Sequence, residues 1–89
     1  MSGPEIPSAE ELVAEFQKAK VDEFLVHTCS LLASLGFGKL GAGDLEQTRL
    51  AIEALRALQP LLPAEPARDV QSVVANLQLA YAEAASGGA

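Results

Sequence analysis

Four groups of residues have types and spacings that could support chemistry. Gly36-Phe37-Gly38-Lys39-Leu40-Gly41 matches the pattern GxGxxG. A dinucleotide fingerprint of that form needs a strand before it and a helix directly after it, so that the helix N-terminus meets the pyrophosphate. Here a helical pattern precedes it, and Asp44 would set a carboxylate at the entrance of the next helix. The expectation is an interhelical loop with no cofactor.

Glu23, His27, Ser30 and Ser34 share one helical face, so a Glu–His–Ser relay can be drawn. Nucleophilic catalysis also needs a preorganised oxyanion site, and side chains along one straight helix do not converge on it. A Glu23–His27 pair at i,i+4 on a polar stripe is the simpler expectation. Cys29 has no neighbouring cation in sequence to stabilise a thiolate, and it reads as a small buried hydrophobe. One His and one Cys give no metal-ligand spacing. Glu46, Arg49, Glu53 and Arg56 alternate in sign and read as a solvated helix face. Tyr81 is expected to pack its ring and leave its hydroxyl at the rim. No catalytic, cofactor-binding or metal-binding set is assigned.

The elements that must position these residues are helices. Ser8 followed by Glu11 is a capping-box pattern, and it opens helix 1. Leu12, Val13 and Phe16, then Val21, Phe24, Leu25, Thr28, Leu31, Leu32 and Leu35, follow at steps of three and four. Charged residues at 18–22 mark a bend or short break. Gly36 is placed for the left-handed C′ position, with Phe37 packing on Leu32, so helix 1 is expected to end at Leu35. Gly36 to Gly43 is expected to hold no helical turn. Asp44, with Gln47 three residues on, caps helix 2, which Pro63 ends. Helix 3 is expected to start at Pro66 and to carry Val70, Val73, Val74, Leu77 and Tyr81 on one stripe. Period-two alternation is absent, so the fold class is all-α, a three-helix bundle with a long first helix. Residues 1–7 read as a flexible N-terminal tail, 8–85 as a single helical domain and 86–89 as a flexible C-terminal tail.

Composition narrows the function classes. The chain has 89 residues, 49% hydrophobic and 20% charged, with a formal charge of −6 from 12 acids and 6 bases. An acidic chain without clustered Lys and Arg argues against nucleic-acid and anionic-membrane partners. The uncharged stretch from Phe24 to Gly38 is too short to span a bilayer. A lone cysteine and the lack of a basic-then-apolar leader at Met1–Glu5 fit a cytoplasmic protein. For so short a chain, burial and ordering nearly cancel, which favours added burial through association.

Ser30-Leu31-Leu32-Ala33-Ser34-Leu35-Gly36 resembles the first helix of a bacterial family of small helical proteins, domain of unknown function number 1844. Asp44-Leu45-Glu46, Arg49, Ile52-Glu53, Leu55 and Leu58 resemble its second-helix signature, and Leu77, Tyr81 and Glu83 its closing helix. The resemblance covers Asp22 to Ala84. It implies a short soluble bacterial protein without an established activity. Some actinobacterial members are encoded beside translation genes, which implies a translation-linked role. The charged, Lys-rich stretch usual between the second and third helices is here Pro60-Leu61-Leu62-Pro63-Ala64-Glu65-Pro66.

The expected function is a non-catalytic helical interaction module, a homodimer or higher oligomer, that could also take an unidentified protein partner. From Phe24 to Leu35 helix 1 is apolar around most of its circumference, more than two neighbouring helices would cover. The expected dimer interface is Phe24, Leu25, Val26, Cys29, Leu32 and Ala33. The alternative is a bundle that holds a small apolar ligand between its helices.

Overall fold

The computed structural model describes residues 8–87. The expected tail at 1–7 and the last two residues of the chain lie outside that range. The described chain is all-helical: α1 (Ala9–Gln17), α2 (Val21–Gly41), α3 (Leu45–Leu58) and α4 (Ala64–Gly87), with a single 3₁₀ turn at Gln59–Leu61 between α3 and α4. The described residues therefore form four α-helices, where three were expected, the first with a bend or short break at 18–22.

Helix α1 begins as its capping box dictates. The Ser8 hydroxyl accepts from the Glu11 N–H at 3.1 Å, and the Glu11 carboxylate accepts from the Ser8 N–H at 3.0 Å. The helix stops at Gln17, with neither Gly nor Pro to break it, and Lys20 turns extended (φ −82°, ψ 140°). In a continuous helix residues eight apart lie about 12 Å apart along the axis. The break instead brings the Phe16 and Phe24 rings edge to face, with centroids 5.3 Å apart.

Helix α2 overturns two expectations. It does not end at Leu35 but runs on to Gly41, so the segment expected to be loop is mostly helix. Gly36 is buried inside it, where a Cβ would lie 3.2 Å from the Ala51 Cβ and 3.3 Å from Leu77 Cδ1. This glycine is present for close helix approach and not for a left-handed φ. Phe37 is correspondingly exposed. The left-handed residue is Gly43 (φ 82°), where the Gly43 N–H donates to Leu40 O and the Asp44 N–H donates to Lys39 O. Those two bonds form a Schellman ending, displaced seven residues from the expected site.

Asp44 then caps α3, its carboxylate accepting from the Gln47 N–H at 3.2 Å. Thr48, fully buried, donates its hydroxyl to Asp44 O at 2.8 Å, so this buried polar group is satisfied. Pro60 sits within the 3₁₀ turn, and Leu62, extended before Pro63, is buried in the core. Helix α4 starts at Ala64, two residues before the expected Pro66, and continues through Gly87. Proline is tolerated there because N–H groups of the first turn have no intrahelical acceptor.

Helices α2, α3 and α4 pack against one another around Cys29, Ile52, Leu55, Leu62, Val70, Val74 and Leu77. Leu55 and Leu77 are fully buried, each at 0% exposure. Helix α1 contributes no buried residue. The radius of gyration is 17.1 Å, against about 12 Å for a compact domain of this length. The chain is elongated.

Candidate interaction surface

Each helical turn of α2 presents two apolar sides. One holds Cys29 and Gly36, buried, with Leu25, Val26, Leu32, Ala33 and Leu40 half-buried around them. The other runs Val21, Phe24, Thr28, Leu31 and Leu35, at steps of three, four, three and four. That is the spacing of a and d positions in a coiled-coil seam. Most of it is uncovered among the described residues: Val21 is 75% exposed, Leu31 71% and Leu35 55%, while Thr28 is half-buried and Phe24 meets the Phe16 ring. Thr28 turns its hydroxyl back to Phe24 O at 2.9 Å, which leaves its methyl to the seam.

Two further apolar features flank this seam. Leu50 of α3 is exposed, and beside it a shallow groove of about 100 Å³ runs between α2 and α3. Its lining is Leu32, Leu35, Lys39, Gln47, Leu50, Ala51 and Ala54. Leu12, Val13 and Phe16 are exposed on one side of α1, while Glu10, Glu11 and Glu15 lie on its other faces.

The residues expected from sequence to form the dimer interface divide accordingly. Cys29 lies in the chain's own core, and Leu25, Val26, Leu32 and Ala33 pack against that core. Phe24 stands on the exposed seam. Val21, Leu31 and Leu35, absent from the expected set, are exposed on the same side of α2 as Phe24. Their signal was available as the three–four spacing of α2, but the helix is apolar on both sides and spacing alone does not say which side faces inward.

The candidate chemical groups do not converge. GxGxxG lies in the last turns of α2, with its backbone N–H groups in the helix. Glu23 and His27 are both exposed, and among the described residues no ion pair joins them. Arg49 pairs with Glu53 at 2.7 Å on the solvent side of α3. Burial raises the Cys29 thiol pKa above its ordinary value, which keeps it protonated at neutral pH. Tyr81 is half-buried against the core. Among the described residues no three His, Cys, Asp or Glu stand together as metal ligands.

Beside Cys29 a half-open cleft of about 240 Å³ is lined by Ser30, Ala33, Leu55, Asp69, Val70 and Val73. It is smaller than the ~300–1,000 Å³ of ordinary ligand pockets. By length and composition, the 21-residue α2 is also apolar enough to cross a membrane, with a mean hydropathy of 1.2 over an 18-residue window. Compared with protein-family models, curated proteins and solved structures, the chain matches none.

Proposed function

We propose that this protein is a non-catalytic helical module that associates with a second copy of itself through the exposed side of α2. The observation that supports this most is the largely uncovered seam Val21–Phe24–Thr28–Leu31–Leu35 on a helix whose other side is already closed by its own chain. An apolar seam with a and d spacing is self-complementary, and a two-fold pair is the commonest arrangement that uses such a surface. The bilayer is a weaker reading of the same helix. Gly36 ties α2 to α3 and α4, whose outer faces carry Arg49, Glu53, Arg56, Arg68 and Asp69, and these would have to enter the membrane with it. The setting that accompanies the proposal is cytoplasmic and, on the resemblance to family 1844, translation-linked.

Light scattering on the full chain at tens of micromolar tests the proposal. About twice 9.3 kDa is expected. A monodisperse 9.3 kDa species that stays folded on dilution would contradict it. The cleft beside Cys29 supports a second reading, a bundle that holds a small apolar ligand. A stoichiometric lipid or metabolite retained in native mass spectra would favour that reading.

A further inference from the structure

We infer that the cleft beside Cys29 takes a small apolar amine, its hydrocarbon body seated between α2 and α4 and its ammonium group on the Asp69 carboxylate. This rests on the second reading above, a bundle that holds a small apolar ligand, and names the class of ligand. Three observations carry it.

The first is why the helices part there. Helices α2 and α4 meet where a Cβ on Gly36 would lie 3.3 Å from Leu77 Cδ1. Cys29 and Val70 each stand seven residues earlier on those two helices, about 10 Å back along the axis. The side chains between the helices at that level, Ser30 and Ala33 facing Val70 and Val73, are short and leave a gap. Interiors are otherwise close-packed, so an unfilled apolar gap forgoes contacts that a guest restores.

The second is how the lining divides. Leu55, Cys29 and Val70 form the floor, at 0%, 2% and 9% exposure. Burial keeps the Cys29 thiol protonated, so the floor carries no charge. Ser30 and Asp69 are exposed and stand at the mouth. An apolar floor with polar groups only at the rim selects a ligand that is apolar at one end and polar at the other.

The third is the sign of that rim. Among the described residues Asp69 makes no ion pair, and Glu65 stands about one turn before it on α4. Helix α2 holds no charged residue from Phe24 to Gly38. Arg56 and Arg68 adjoin Leu55 and Asp69 in sequence, but neither lines the cleft. A cation is therefore matched at the mouth and an anion is opposed. The space, about 240 Å³, equals roughly eight waters at ~30 Å³ each, which sets the size of the guest.

Titrating the isotope-labelled full chain with three probes of similar shape tests the inference: 2-phenylethylamine, 2-phenylethanol and phenylacetate. The amine should shift the Ala33, Val70 and Val73 resonances saturably, with a Kd on the order of 1 mM for so small a ligand. The alcohol should bind about three- to fivefold more weakly, the usual worth of an exposed charge pair, and the anion more weakly still. Asp69→Asn, at an exposed position, should bring the amine to the level of the alcohol with helical circular dichroism retained. If amine and alcohol bind alike and Asp69→Asn changes neither, the charge selection is wrong and the apolar-ligand reading stands. If no probe shifts Ala33, Val70 or Val73, both readings fall together.

Discussion

A Cβ placed on Gly36 would lie 3.2 Å from the Cβ of Ala51, so α2 and α3 cross at a point where a side chain would push its neighbours by a few tenths of an ångström. Leu77 of α4 closes the same point from the other side at 3.3 Å. One glycine thus sets the spacing of three helices. It also fixes which side of α2 faces inward, and hence which side is left for a partner.

Gly36→Val should destabilise the fold by about 1–3 kcal/mol, the usual cost of forcing extra carbons into a closed contact. Gly38, two residues on in the same helix, has open space around it, and a Cβ there would meet nothing within 4 Å. Gly38→Ala should therefore stabilise by up to ~1 kcal/mol through helix propensity. Melting temperatures of the two variants should move in opposite directions. A shared direction would mean that Gly36 is not the packing point.

Gly43→Ala should cost about 1–2 kcal/mol, because an L-residue resists the left-handed φ of 82° even where space is open. Denaturant unfolding measures this. An unchanged midpoint would place the end of α2 elsewhere.

These glycines mark what was legible in the sequence. The caps at Ser8–Glu11 and Asp44–Gln47 are local devices, complete within four residues, and both form as read. Gly36 and Gly43 look alike in sequence, since a helix-ending glycine and a close-packing glycine differ only in what approaches them. At Gly36 that is Ala51 and Leu77, far along the chain. The two sides of α2 are similarly alike in apolarity. The side chosen from sequence included Cys29, which the chain itself buries, while Leu31 and Leu35 face outward. The break after Gln17 follows no Gly or Pro and was visible only as a cluster of charges.

Acidification should loosen α1 before the bundle. The Ser8 backbone N–H, which donates to the Glu11 carboxylate, and secondarily the adjacent Ser8 side chain hold the Glu11 pKa below the usual glutamate value. A carboxylate with a depressed folded pKa adds stability above its unfolded pKa and loses it as pH falls through the folded one. Amide shifts of Ser8 to Leu12 should therefore change below the ordinary glutamate range while those of α3 and α4 hold. Simultaneous loss of all helices would show that α1 is not separately capped.

Sedimentation of Leu31→Asp beside the native chain decides whether self-association runs through the outer side of α2. Leu31 is 71% exposed, so an aspartate there leaves the core of the chain untouched. In an apolar seam the same charge would be buried without a partner, which costs several kcal/mol. The native species should sediment near twice 9.3 kDa, and Leu31→Asp at 9.3 kDa with its helical circular dichroism retained. A Leu31→Asp chain that sediments like a native dimer would mean that the seam is not the interface.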